Sequence, residues 1–161
     1  MKLIKANFNI IEQSPSIDGI YKIIEQAGRT CYKSENLITE DSAEKFVNMI
    51  KDRQHTAMLE HGTIYLDIPW DCNKLIGDKQ KYFDNPYSIV NEGEIVYGDK
   101  THEAHYYITT NYRVLYENGW MADLQYLCEP TEYHERRVTV RFVCDRGISH
   151  EFVRHKILCV A

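Results

Sequence analysis

Two stretches of this chain alternate apolar and polar residues with a period of two, and that pattern restricts the fold more than any other feature. Ile64, Leu66 and Ile68 alternate with Thr63, Tyr65 and Asp67, and Val138, Val140, Phe142 and Cys144 alternate with Arg137, Thr139 and Arg141. Successive side chains of a strand point to opposite faces, so each stretch suits a strand with one face on a core and the other in polar surroundings. Parallel sheets covered on both faces read instead as continuous apolar runs, and no regular βαβ repeat occurs here. The expected fold is therefore α+β, an antiparallel or mixed sheet with helices packed on it. Leu3 to Ile11 and Ala104 to Thr110 are further strand candidates.

Two helices are expected to cover one face of that sheet. Ser16 is placed to cap the first, in which Ile17, Ile20, Tyr21, Ile24 and Ala27 follow at helical spacing and Gly28 offers a stop. The second begins near Asp41, with Glu44 completing a capping-box pattern and Ala43, Phe46, Val47 and Ile50 as its apolar stripe. Short helices are expected over 111–118 and 120–128. Pro69 to Lys100, rich in Asp, Asn, Gly and Tyr, reads as an irregular excursion, an insert over 70–102.

At 161 residues the chain makes a single domain, 1–161, large enough for a real core. A net charge of −5 with no long basic run points away from nucleic acid and anionic membrane. The start, Met-Lys-Leu-Ile-Lys, matches neither signal nor transit peptide. Five Cys without a C-x-x-C suit free thiols in a reducing cytoplasm.

The densest chemistry lies in Asp145-Arg-Gly-Ile-Ser-His-Glu-Phe-Val-Arg-His-Lys156. His150 and His155 stand five apart, roughly 140° around a helix, whereas two zinc ligands on one helical face need ~40°. A metal hydrolase fails on that geometry. His150 with Arg154, and Glu151 with His155, do share faces, which suits an Arg oriented toward a phosphate or ring carbonyl. A solvated helix end with i,i+4 pairs fits this segment equally well. His55, Glu60 and His61 raise the question of metal ligation too, but no third firm ligand stands at a known spacing, so ligand contact or structure is favoured over zinc.

Four blocks resemble the flavin-dependent thymidylate synthases: Arg29-Thr-Cys-Tyr-Lys-Ser-Glu35, Ile38-Thr-Glu-Asp-Ser42, His55-x-Ala-x-Leu-Glu-His61 and Ile148-Ser-His-Glu-Phe-Val-Arg-His155. They occur in that family's order and span nearly the whole chain. The family's hallmark Arg-His-Arg is matched by Arg154 and His155, with Lys156 in place of the second Arg. The resemblance implies a thymidylate synthase-complementing-protein-like fold. It also implies reductive methylation of dUMP to dTMP, with methylenetetrahydrofolate as carbon donor, NADPH as reductant and FAD as cofactor. Flavin carries the hydride in such enzymes, so no protein nucleophile is expected. The active site is shared among subunits of a homotetramer, and the enzymes are cytoplasmic.

Carried over by position, the resemblance implies FAD contacts from His55, Ala57, Glu60, Arg154, His155 and Lys156, and nucleotide contacts from Glu151 and Arg154. Ala57 stands where many members have Thr or Ser, which removes a hydroxyl. About ninety residues separate Glu60 from Arg154, more than in compact members. The hallmark serine and later phosphate contacts would fall beyond residue 161. The chain is therefore expected to be an N-terminal part that shows no appreciable thymidylate synthesis alone; the alternative is a non-catalytic, self-associating remnant of the family.

A first prediction follows from the hallmark substitution. A guanidinium gives two directed hydrogen bonds and an ammonium a point charge, so Arg154→Ala should weaken FAD binding more than Lys156→Ala. Flavin fluorescence titration of both variants checks this, and equal losses would remove the hallmark from any flavin site.

Overall fold

The computed structural model describes residues 5–70, 77–97 and 101–154. Its strands are β1 (Asn7–Ile11), β2 (Thr63–Pro69), β3 (Ile89–Tyr97), β4 (Thr101–Asn111) and β5 (Thr139–Val143). Its helices are α1 (Ile17–Cys31), α2 (Ala43–Asp52), α3 (Gly77–Phe83), α4 (Tyr112–Asn118) and α5 (Arg146–Arg154), joined in places by 3-10 turns at Glu35–Leu37, Thr56–His61 and Met121–Tyr126. All pairing among the described strands is antiparallel, in a three-stranded sheet of order β2-β4-β3 and a two-stranded ribbon β1-β5. The fold is mixed helix and antiparallel sheet, the α+β arrangement that the alternation implied.

In the larger sheet, Leu66 lies opposite Ile108 and Val90 lies opposite Ile108 from the other side. These residues, with Ile64, form the inner face. Ile20 and Ile24 of α1, Phe46, Val47 and Ile50 of α2, Leu59 and Leu115 close the core over it. Close approach depends on Gly62, where a Cβ would come within 2.8 Å of both Ile20 and Ile24. The opposite face carries Tyr65, Asp67, His105 and Tyr107 and is crossed by residues 127–138. There Tyr133 stacks on Tyr107 at 4.8 Å, and Arg137 donates to the carbonyls of Thr110 and Tyr87.

Several boundaries differ from the expectations, each for a physical reason. The stretch 70–102 is not irregular where it is described: α3 and β3 form within it, and β3 pairs along its length with β4. Cross-strand pairing supplies there what Glu92, Gly93 and Glu94 do not supply locally. Gly28 does not end α1, which continues to Cys31; it is buried, and a Cβ there would meet the Phe46 ring at 2.6 Å. The capping box at Asp41 does not form. Ser42 stands at the N-cap of α2, and its hydroxyl is turned instead to Glu25 and the carbonyl of Thr39. The helix over 120–128 is a 3-10 turn at Met121–Tyr126. The first strand is described from Asn7, residues 3 and 4 of the expected strand lying outside the described residues. By contrast, the Ser16 hydroxyl accepts from Gly19 N–H at 3.1 Å and Asp145 accepts from Ile148 N–H at 3.0 Å, the caps expected of both.

Both α1 and α2 end in the same way. Ser34 N–H donates back to Arg29 C=O and Lys33 N–H to Thr30 C=O; His55 N–H donates to Ile50 C=O and Gln54 N–H to Lys51 C=O. This double closure needs a left-handed residue just past the helix, usually glycine. Here Lys33 (φ 53°) and Gln54 (φ 57°) occupy those positions. A side chain in that region costs roughly 1–2 kcal/mol, partly offset by the greater unfolded-state entropy of glycine. Lys33→Gly and Gln54→Gly are each expected to raise the unfolding free energy by about 0.5–1 kcal/mol, read from urea denaturation. A loss of stability in both would contradict strain at these turns.

Candidate functional site

The ends of α1 and α2 bring Tyr32 and His55 together. Tyr32 Oη lies 2.9 Å from His55 Nδ1, with ring centroids 6.5 Å apart. Around this pair opens a shallow cavity of about 360 Å³, lined by Tyr32, Gln54, His55, Thr56, Ala57, Met58 and Arg113. The blocks 29–35 and 55–61, distant in sequence, thus meet in one place.

The far wall is an ionic cluster. Arg113, on the first turn of α4, donates through Nη1 to Glu60 and through Nε to Glu117 at 2.8 Å. Thr56 Oγ1 donates to the same Glu117 oxygen at 2.6 Å. That hydroxyl, first, and then Arg113 hold the Glu117 carboxyl below the usual carboxylate range. The side chains of Arg113, Glu60 and Glu117 are 34%, 30% and 41% exposed, so solvent screens the cluster and it contributes to stability only modestly. Two carboxylates against one guanidinium leave it net negative. The α1 and α2 C-termini face the same region and carry the negative end of the helix dipole. Such a wall receives N–H donors of a neutral ring more readily than a phosphate.

Of the residues singled out in the sequence, His55 and Ala57 line the cavity, and Glu60 borders it through Arg113. Ala57 is exposed, and the hydroxyl its position lacks has a neighbour in Thr56. Glu151 sits on α5, and none of the lining just described comes from α5. Arg154 closes the described part of α5, while His155 and Lys156 lie outside the described residues. Within α5, Arg146 Nε donates to His150 Nε2 at 3.2 Å, while the side chain of Arg154 lies outside the described residues. Arg113, Glu117, Tyr32 and Thr56 are among the site residues that the sequence did not mark. The i,i+4 spacing of Arg113 and Glu117 on a helix was the available signal.

Cys128 does not offer a nucleophile: burial pushes its thiol up to about 11, leaving it protonated near neutrality. Among the described residues, no three His, Cys, Asp or Glu side chains come together to hold a metal ion, and no helix is long and apolar enough to cross a membrane. No protein-family model, curated protein or solved structure matches the chain.

Two imidazoles are held below their ordinary value, each chiefly by burial: His61, which follows Glu60, and His134. At His134, Nδ1 accepts from Thr131 N–H at 3.0 Å, so Nε2 carries the proton and donates to Leu66 C=O at 3.1 Å. A second proton on Nδ1 would break the Thr131 bond. A group with a depressed folded pKa binds fewer protons folded than unfolded, so its contribution is whole above about pH 6.5 and declines as pH falls toward the folded value. Urea midpoints are expected to fall between about pH 7.5 and 5.5, and His134→Gln to shallow that slope while lowering stability at pH 7.5 by about 1–2 kcal/mol. A pH-independent wild-type midpoint would refute buried neutral imidazoles at these positions.

Proposed function

We propose that this chain is part of a flavin-dependent thymidylate synthase, of a family acting on dUMP with methylenetetrahydrofolate and NADPH, and that it binds FAD at the Tyr32–His55–Arg113 cavity. The observation that carries the reading is the convergence of the blocks 29–35 and 55–61 on one open cavity. These are two of the blocks on which the resemblance rests, and the resemblance assigns flavin contact to the second.

The lining suits part of such a ligand. His55 and Arg113 offer donors to ring carbonyls, Glu60 and Glu117 offer acceptors to ring N–H groups, and Tyr32 and Met58 offer apolar surface for a planar system. The net negative wall argues that phosphates sit outside it. Lys33 and Arg53, next in sequence to Tyr32 and Gln54, and the segment carrying Arg154, His155 and Lys156, are the cations on which that part of the ligand would draw. When bound, flavin supplies hydride transfer; the chain's own residues orient the ring and polarise its carbonyl edge.

A thymidylate synthase of this kind shares its site among subunits, and one surface favours self-association. Phe8, Ile10 and Phe142 lie on one face of the β1-β5 ribbon and are 63%, 63% and 49% exposed. An isolated two-stranded ribbon is marginal in water, so an apolar cover over that face would stabilise it.

Titration of the purified chain with FAD, followed by flavin fluorescence, tests the reading. Saturable binding is expected, weakened about tenfold by Arg113→Met, with dUMP perturbing the bound-flavin spectrum. No binding up to about 1 mM FAD would overturn it.

A further inference from the structure

The contact between Tyr32 and His55 determines more than the shape of the cavity. Each residue is held by one of the two left-handed turns: Tyr32 immediately precedes Lys33, and His55 immediately follows Gln54. Among the described residues these are the two non-glycine positions with positive φ. Backbone cost is thus concentrated on both sides of one hydrogen bond, a distribution typical of functional sites. Tyr32 is 45% exposed and its ring is not needed by the core, so packing does not explain the pairing.

The chemistry of the pair gives it a direction. A phenol O–H is a better donor than its oxygen is an acceptor, and a neutral imidazole nitrogen is a strong acceptor. The 2.9 Å contact is therefore best made with Tyr32 donating to Nδ1, which places the imidazole proton on Nε2. His55 lines the cavity, and with Nδ1 engaged, Nε2 is the nitrogen that remains to meet a ligand.

We propose that Tyr32 is a positioning residue that fixes His55 as the Nε2–H tautomer, so that the cavity presents an N–H donor to a carbonyl oxygen of a planar heterocycle. The heterocycle's identity rests on the flavin reading above; the tautomer does not. An Nε2–H held in one tautomer is a directed donor, which suits a ring carbonyl. An imidazole free to exchange tautomers would present a donor only part of the time.

Long-range ¹H–¹⁵N NMR of the full chain, with His55 assigned by comparison with His55→Gln, reads the tautomer directly. The wild type is expected to show Nε2–H alone, and Tyr32→Phe a mixture of both tautomers with unchanged thermal stability. An Nδ1–H wild type, or an unaltered tautomer in Tyr32→Phe, overturns the proposal. Riboflavin, which lacks the diphosphate, is the second probe. Tyr32→Phe should weaken its binding about 3- to 10-fold, the loss of one net hydrogen bond. His55→Gln should weaken riboflavin binding at least as much as Tyr32→Phe, with no further loss on adding Tyr32→Phe. An equal Tyr32→Phe loss in both backgrounds overturns the coupling. If neither riboflavin nor FAD binds the wild type, the flavin reading fails, and the tautomer measurement alone decides the role of Tyr32.

Discussion

The buried carboxylate of Glu25 is the joint on which the helical layer turns. It is 1% exposed and accepts from Arg29 Nε at 3.2 Å and from the Ser42 hydroxyl at 2.9 Å. One oxygen thus serves α1 itself and the other the first turn of α2. Arg29, whose guanidinium also lies 4.7 Å over the Phe46 ring, is held against the second helix from the other side. A paired buried charge is not strong evidence of net stability, since desolvation offsets much of the attraction, but removing one partner leaves a charge stranded at a cost of roughly 3–5 kcal/mol. The arrangement therefore serves specificity: only one docking of α1 on α2 satisfies Glu25. That docking lays α1 beside α2, and the ends of the two helices are where Tyr32 and His55 meet.

Much of the fold was legible because its signals are local and periodic. Ser16 and Asp145 cap as short-range chemistry requires, β2 and β5 form as strands, although the face of β5 expected on a core is exposed at Val138 and Phe142, and the apolar stripe of α2 is buried as Ala43, Phe46, Val47 and Ile50. The misreadings have a common cause in tertiary override. Gly28 has the residue type of a helix end but serves a close approach to Phe46, and Ser42 abandons its own helix cap for Glu25. β3 is weak by propensity and exists through its partner β4. Phe46 and Glu25 are remote in sequence from Gly28 and Ser42, so no local pattern could have named them; β4 follows β3 directly, and that hairpin was missed because Asn91 to Glu94 interrupt the apolar pattern of β3.

The candidate site was legible in halves. His55, Ala57 and Glu60 were marked by one block, and the opposite wall was not, because Arg113 arrives on α4 from more than fifty positions away. Its pairing with Glu60 turns an apparent ligand-binding acid into one arm of a cluster. The excess negative charge there alters the physical reading of the whole cavity. A site built only for an anion would not set two carboxylates and two helix C-termini against a single guanidinium.

The division of labour that results depends on how β5 and α5 are attached. Arg141 of β5 reaches Glu35, three residues after Tyr32, at 3.9 Å, but both side chains are more than 40% exposed and a pair so screened contributes about 0–1 kcal/mol. Phe142 packs on Phe8 across the ribbon and on Phe152 of α5, at centroid separations of 6.4 and 4.9 Å. α5 is thus attached to the two-stranded ribbon through the packing of Phe152 on Phe142, and this aromatic contact holds it more than the screened Arg141–Glu35 pair does. Under the proposed function, a partner covering the apolar face of the ribbon would act on the element that carries α5, while ring recognition would rest on Tyr32 and His55 at the ends of α1 and α2.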